Sequence, residues 1–462
     1  MRIRRATSAV AVAALVASLA AGVDAASAAD HPRATTGTQV QIRDGHGITV
    51  KSVKAIGSRQ VLATIVPKAL GRQITVRVLL PVGYEPDATP RYPVLYLYPG
   101  TSGHSYDWMT VGGAPKTTAP YRLITVSSDI GFNGDGGGWF TNWVDTNTAL
   151  GPSQWETYDI DELIPWIDAN FDTIRSRSGR AVAGLSQGGY GSTELAARHP
   201  DLFVMDGSFS GAPEIDRDAV VRAGAYGVIS ATMSGLNGVE PDAPFGNPVT
   251  DQINWQGHDP ATTVENLRPV KLWLATADGL PGKYDDPVTN PPGYAGAAAI
   301  ESATHESTDY FLMHVKAAHI PSYVYDYGSG THTWPYWARD FRHFIEPLMK
   351  TFAHPPARPN KISYTTIEPK YSVWGWHVSI KRPQPLAFTT LSHAGPHGFT
   401  FAFTGDGVAT VVTPASTPVN RRYDVIVRGH SHVMHADKTG RLHIRIPLGA
   451  ASHHVKVQIH QP

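Results

Sequence analysis

Between residues 36 and 66 apolar and polar positions alternate around Gly45, Gly47 and Gly57, and Gln73 to Pro81 continues the same period of two. Such alternation marks a strand with one face covered and the other open, so the chain is expected to begin with antiparallel strands. The pattern then changes. Tyr92 to Pro99 (YPVLYLYP) is almost wholly apolar, as a strand covered on both faces must be. Short runs at Arg122–Ser127, Arg180–Leu185, Phe203–Phe209, Val270–Thr276 and Ser322–Tyr325 alternate with helical patterns such as Trp155–Phe171 and Ala295–Ala318. Buried strands separated by helices predict a doubly wound α/β architecture around a mostly parallel central sheet.

A second change falls at Ala353–Asn360 (AHPPARPN), whose prolines neither a helix interior nor a central strand tolerates. It sets a boundary between residues 29–353 and residues 361–462. From Ile362 to Ile459 only short β-type runs remain, at Tyr371–Ile380, Phe399–Phe403, Val408–Val412, Tyr423–Val427, Leu442–Ile446 and Val455–Ile459. Their spacing and intervening turn residues predict a small all-β, sandwich-like domain.

The N-terminus pairs Arg2, Arg4 and Arg5 with the apolar run Ala9–Ala21 and the small residues Ala26-Ser27-Ala28. This is the plan of a secretory signal peptide over residues 1–28, and it predicts a secreted, extracellular or envelope-associated protein. No later segment has the length of a transmembrane helix. Lys plus Arg and Asp plus Glu both number 39, so no whole-chain field draws the molecule to nucleic acid or an anionic membrane. Cysteine is absent, which excludes disulfides, a thiol nucleophile and Cys-based metal sites. His430 and His432 share one side of a strand, but no third ligand stands at strand spacing. Asp129, Asn133, Asp135 and Gly136–Gly138 form a polar glycine loop before Trp139 that lacks the ligand pattern of a calcium loop. No metal or cofactor is expected.

The candidate chemistry lies in Ala181–Gly191 (AVAGLSQGGYG), a short apolar strand delivering Ser186 into a Gly-x-Ser-x-Gly turn before a small-residue helix. A serine on so tight a turn needs neighbours without side-chain bulk, which Gly184 and Gly188 supply. Its hydroxyl is a weak nucleophile until a histidine takes the proton, and the histidine needs a carboxylate to fix its tautomer. In a serine, acid, histidine order the base follows the last strand, where His332 sits in a glycine-rich loop before the terminal helix. Asp278, Asp285, Asp286, Glu301 and Glu306 all lie between the strand ending at Thr276 and His332. Order does not choose among them, although Asp278 directly follows a strand end. The oxyanion hole needs two backbone N–H groups: Gln187 follows the nucleophile, and Thr101, or else Gly100, lies in the loop after the early parallel strand. Trp139, Trp143, Trp155, Trp334 and Trp337 are candidates to line an acyl pocket or stack on sugars, with core packing as the alternative.

With these residues in place, the chain resembles the esterase-D and mycolyltransferase branch of the α/β-hydrolases, the branch that holds the mycobacterial trehalose mycolyltransferases. The likeness runs from about residue 70 to 350. It is carried by the elbow, by Gln154–Tyr158 (QWETY) with Glu162–Trp166 (ELIPW), by His258-Asp259-Pro260 before Lys271–Trp273, and by Thr331–Trp334 (THTW) with Tyr336-Trp337. The resemblance implies an α/β-hydrolase fold and a Ser–Glu–His triad whose acid is Glu301, with Asp278 second. It also implies small-molecule, lipid or glycan ester substrates. There is a departure: the acidic residue, glycine, leucine and sugar-binding arginine that mycolyltransferases carry after the early strand are replaced here by Pro99-Gly100-Thr101-Ser102. Ester hydrolysis is therefore the first expectation. Acyl transfer to envelope sugars or lipids, of the mycolyltransferase or diacylglycerol acyltransferase type, is the second. A non-catalytic surface binder, with the C-terminal domain making envelope contact, is the third.

Overall fold

A computed structural model of the chain describes residues 41–462 apart from 133–134, 384–385, 416–417, 450–452 and 461–462. The expected signal peptide, residues 1–28, lies outside the described residues. The first nine strands are β1 (Ile48–Ile56), β2 (Gln60–Pro67), β3 (Ile74–Leu79), β4 (Val94–Tyr98), β5 (Ile124–Ser128), β6 (Arg180–Leu185), β7 (Met205–Phe209), β8 (Lys271–Thr276) and β9 (Ser322–Asp326). They form one sheet in the order β1-β2-β3-β5-β4-β6-β7-β8-β9. The pairings from β1 to β5 are antiparallel, and those from β5 through β4 to β9 are parallel. This is the α/β-hydrolase fold with a mostly parallel central sheet.

The unbroken apolar runs have a direct cause in this sheet. Along β4, Val94, Tyr96 and Tyr98 enter one core, while Leu95 and Leu97 enter the other. Successive strand residues point to opposite faces, so a sheet covered on both sides needs apolar residues at every position. Three helices bear on the candidate site: α1 (Gln187–Arg198), α2 (Pro291–Ala317) and α3 (Trp334–Ala353). Helix α3 lays Trp337, Phe341, Phe344, Ile345 and Leu348 on the core that holds Leu95 and Leu97. Trp155, Trp166 and Leu195 cover the other face. Each such fully buried side chain contributes about 1.5–3 kcal/mol through removal of apolar surface from water.

Two helices depart from the sequence expectation. The pattern at Trp155–Phe171 is a short helical turn, a π-helical turn over Tyr158–Leu163 and a helix over Ile164–Asn170. Pro165 has no N–H to donate to the Asp161 carbonyl, and the wider turn upstream accommodates its ring. Helix α2 begins at Pro291 rather than Ala295, because proline is well suited to the first helical turn and the Asn290 side chain accepts from Gly293 N.

The C-terminal strands are β10 (Ile362–Thr366), β11 (Lys370–Val373), β12 (Trp376–Lys381), β13 (Thr389–Gly395), β14 (Gly398–Phe403), β15 (Gly407–Val412), β16 (Arg422–Val427), β17 (His430–His435), β18 (His443–Leu448) and β19 (His453–His460). They make a six-stranded sheet, β10-β13-β14-β19-β16-β17, and a four-stranded sheet, β11-β12-β15-β18. The single run read at Tyr371–Ile380 is a hairpin, turned by Trp374 and Gly375 with φ of 52° and 83°. Here the apolar positions alternate, and those facing inward form a separate core that includes Trp376, Phe401, Val425 and Ile446.

Polar contacts tie the sandwich to the hydrolase domain. Asn266 Nδ2 donates to Thr365 O at 2.8 Å and Asn266 Oδ1 accepts from Thr365 N at 2.8 Å, so the side chain acts like a strand neighbour. Tyr364 Oη donates to Arg198 O at 2.7 Å, and Arg198 Nη2 donates to Glu368 at 2.9 Å. Gly257 lies so close to Ile367 that an added Cβ would stand 2.3 Å from its Cδ1. The junction therefore meets the C-terminal end of α1.

Candidate active site

Ser186 follows β6 directly, with φ 52° and ψ −122°, a conformation that strains any residue with a Cβ. The backbone crowding around it explains the flanking glycines. A Cβ on Gly184 would stand 2.3 Å from Gly188 O, and one on Gly188 would stand 2.3 Å from Pro99 O. Only glycine lets β6, the turn and the β4 loop approach so closely. Ser186 N donates to Phe209 O at 3.0 Å and Ser186 O accepts from Tyr190 N at 2.9 Å, fixing the elbow between β7 and the start of α1. The serine thus lies at the carboxyl end of the parallel strands, where open α/β sheets place their ligands.

His332 lies between β9 and α3. Its N–H donates to Ala297 O of α2 at 3.2 Å, and its ring meets Trp337 edge-on at 4.8 Å between centroids. Nδ1 stands 2.8 Å from Glu301 Oε2. With the carboxylate as acceptor, Nδ1 carries the proton and Nε2 keeps its lone pair. Among the described residues Nε2 has no hydrogen-bond partner although it is buried. Glu301 is wholly buried, and its other oxygen accepts from Ser210 Oγ at 2.8 Å and Ala277 N at 2.9 Å. A carboxylate with three donors stays aimed at the imidazole.

The remaining acids sort themselves. Asp278 Oδ1 accepts from Leu280 N at 2.8 Å in a local turn. Asp286 closes a similar turn on Val288 and Thr289, and Glu306 faces Arg217 at 3.9 Å. Asp285 has a different place: it accepts from Thr331 Oγ1, from Tyr336 Oη at 2.7 Å and from Gly282 N at 2.7 Å. Thr331 precedes His332, so Asp285 anchors the histidine loop. Sequence reasoning did not identify Ser210 as a partner of Glu301. Its only mark is its place one residue beyond β7, where it adopts φ 49°.

The oxyanion candidates also lie against the elbow. A Cβ on Gly100 would stand 3.0 Å from Ser186 Cβ, and Gly103 N donates to Gly100 O at 2.9 Å, folding the loop into a turn. Gln187 opens α1, where first-turn amides have no intrahelical acceptor. Its side chain donates to Thr101 Oγ1 at 3.2 Å and Gly136 O at 3.0 Å, so it ties the Gly100–Thr101 loop to the glycine loop before Trp139. Trp143 and Trp155 are core residues, Trp139 donates to Thr232 Oγ1 at 3.0 Å, and Trp334 and Trp337 pack together at 5.5 Å beside His332. Among the described residues no group of three or more His, Cys, Asp or Glu is placed to hold a metal.

Behind α1, the motif residues Glu156 and His258 join a buried cluster. Glu156 accepts from Arg198 Nε at 2.7 Å and Nη2 at 2.9 Å, and faces His199 Nε2 at 2.8 Å. Burial pushes the Glu156 carboxyl up, but Arg198 and His199 outweigh that and hold it below the usual carboxylate range. Glu194, 3.4 Å from Arg198, lacks hydrogen-bond partners among the described residues, and burial raises its carboxyl well above that range. Burial lowers the His258 imidazole to about 4, so it is neutral.

A family model described as "Putative esterase" matches residues 67–345, ending before β10. Esterase Rv1288 of Mycobacterium tuberculosis is 32% identical over 258 residues, covering 55% of this chain and 54% of that protein. The MPT51/MPB51 antigen of Mycobacterium tuberculosis is 29% identical over 236 residues, 50% of this chain and 70% of that one. Diacylglycerol acyltransferase/mycolyltransferase Ag85B of Mycolicibacterium smegmatis is 25% identical over 292 residues, 56% of this chain and 86% of that one. The chain spans about half the length of esterase Rv1288.

Proposed function

The chain belongs to the esterase family, and on that premise we propose that it is a secreted serine esterase that forms an acyl-enzyme on Ser186. The observation that carries the reading is the His332–Glu301 pair at 2.8 Å, with Nε2 of the imidazole left unpartnered among the described residues. Ser186 Oγ attacks the ester carbonyl carbon while its proton passes to His332 Nε2. Glu301 stabilises the resulting imidazolium, and the N–H groups of Gln187 and Thr101 hold the oxyanion. The carbon–oxygen bond to the alcohol then breaks, and the alcohol leaves with the proton from His332. Water, deprotonated by the same nitrogen, repeats the sequence and frees the acid. In this reading residues 29–353 are the catalytic unit and residues 361–462 the β unit. That division is supported by α3 ending at Ala353 and β10 starting at Ile362.

The likeness to the Ag85B acyltransferase favours a second reading, in which a sugar or lipid hydroxyl replaces water. The loop Pro99–Ser102, without an arginine, weighs toward water. A fluorophosphonate should add its phosphonyl group to Ser186, and Ser186→Ala should lose p-nitrophenyl ester turnover. Retained turnover would overturn the proposal. Offering trehalose, glycerol or diacylglycerol with an acyl donor separates the readings, since acylated product in excess of free acid favours transfer. Secretion predicts a mature N-terminus at Ala29 in culture medium, read by intact mass.

A further inference from the structure

Whole-chain neutrality hides a division of charge. Residues 361–462 carry eleven Lys and Arg against four Asp and Glu, whereas residues 29–360 carry twenty-five against thirty-four. Three of the four acids in the C-terminal part are already engaged. Glu368 faces Arg198 at the junction, Asp424 lies 3.5 Å from Arg422, and Asp437 lies 2.8 Å from His443. The fourth, Asp406, is in the turn between β14 and β15.

Three of the Lys and Arg residues, Lys370, Lys381 and Arg445, stand on the outer face of the four-stranded sheet. Its inward positions are buried and its outward positions open, as in the alternation of β12 and β18. The register places Lys370, Ser379, Thr410 and Arg445 in one row across β11, β12, β15 and β18. Ser372, His377, Val412 and His443 form the next row, and Lys381, Val408 and Pro447 the third. At strand spacings of about 4.8 Å, Lys370 and Arg445 stand roughly 14 Å apart with two hydroxyl side chains between them. No acidic residue occupies an outward strand position on this face. The contacts with the hydrolase domain come instead from Tyr364, Thr365, Glu368 and the hairpin turn at Trp374.

We propose that this face docks an acidic polysaccharide. A row in which Lys370 and Arg445 flank the hydroxyls of Ser379 and Thr410, with Lys381 one row away, matches a chain that presents carboxylates and hydroxyls together, through charge-assisted and neutral hydrogen bonds. The face is poorly suited to a bilayer, because Tyr371, Trp374 and Trp376 are turned into the core and Val408 and Val412 are half-buried, leaving no wedge to enter lipid. It carries no outward Phe, Tyr or Trp on which nucleobases could stack, and its imidazoles, His377 and His443, are engaged by Ser372 and Asp437.

The test is binding of the full chain to polygalacturonate at low salt, beside dextran, vesicles of phosphatidylglycerol and duplex DNA. Lys370→Gln/Lys381→Gln/Arg445→Gln should weaken polygalacturonate binding about tenfold or more and flatten its salt dependence by roughly one unit of slope per cation engaged. An equal loss of charge on the other parts of the sandwich, Arg421→Gln/Arg422→Gln/Lys456→Gln, should have a much smaller effect. Turnover of a small ester should be unchanged in both, since none of the six residues lies at the candidate active site. If a triple variant fails to fold, the exposed single variants Lys381→Gln and Lys456→Gln carry the same comparison. The proposal is overturned if the native chain does not bind polygalacturonate, if dextran binds equally, if the two sets of variants weaken binding alike, or if vesicles or DNA bind more tightly than polygalacturonate.

Discussion

Among the described residues, the hydrolase domain buries eleven carboxylates, including Glu156, Asp159, Glu194, Asp206, Asp259, Glu301 and Asp340. Among those of the sandwich, the buried polar side chains are Thr366, Thr389 and Thr413, and no carboxylate is buried. A buried carboxylate must be ionised and held by donors, or neutral, so it fixes the geometry around it. An outward-facing cation does neither and is free to meet a ligand. The first domain therefore uses charge to position its site, and the second leaves charge available on its surface. Substitutions should couple fold to function in one and separate them in the other.

The largest effect is expected at Glu301. Glu301→Gln keeps the shape of the side chain and one acceptor oxygen but removes the charge that, in the proposed mechanism, stabilises the His332 imidazolium. It should lower kcat about 10⁴-fold with little change in KM, read with a p-nitrophenyl ester. A loss of less than about tenfold would place the acid elsewhere.

Next in size is Arg198→Met, read by urea unfolding of the full chain. It would leave Glu156 without its guanidinium partner and remove the bond to Glu368 across the junction. Breaking one side of a buried pair costs about 3–5 kcal/mol. Arg422→Met removes the exposed pair with Asp424 at 3.5 Å and should cost no more than about 1 kcal/mol. Equal costs would erase the distinction between the domains.

How much of the molecule was legible in the sequence divides along the same line. The parallel strands read clearly because burial on both faces leaves no polar position in runs such as Leu95–Tyr98. The elbow read clearly because close backbone approach demands glycine at Gly184 and Gly188. The proposed acid did not, since seven carboxylates lie between β8 and His332 and only a fold brings Glu301, partway along α2, against a histidine thirty-one positions later. Without the resemblance Asp278 would have had the better claim. Ser210 and the anchoring role of Asp285 were illegible because their partners are far away in the chain. The charge on the sandwich was present in the letters but cancelled in the whole-chain sum.

A smaller effect is expected from pH. Burial pushes Asp206 up to about 7 and Asp159 up to about 8, although Thr193 and Tyr98 respectively donate to them. Their unfolded values are ordinary, so the folded chain binds more protons between about pH 4 and those values. Stability contributed by each group is therefore present at low pH and lost as pH rises toward 7 to 8, by at most about 1.4 kcal/mol per pH unit per group. Asp206→Asn should flatten the fall in urea midpoint between pH 5 and 7 relative to the native chain. An unchanged slope would mean that Asp206 is ionised in the fold.

The smallest effect on folding is expected at Ser379, and it distinguishes the two domains most directly. Its side chain is exposed in the middle of the row from Lys370 to Arg445, between β11 and β15. Ser379→Val puts a β-branched residue on an open strand position, where shape and propensity favour it or leave stability within about 0.5 kcal/mol. Gly188→Ala adds a single methyl group, yet that group would meet Pro99 O at 2.3 Å, so strain of about 1–3 kcal/mol and loss of turnover should arrive together. If the outward face serves binding, Ser379→Val should keep its melting temperature and ester turnover while binding polygalacturonate several-fold more weakly. Were it to destabilise the sandwich as Gly188→Ala destabilises the elbow, the face would be part of the fold's own packing, and the contrast between a domain that positions with charge and one that presents it would fail.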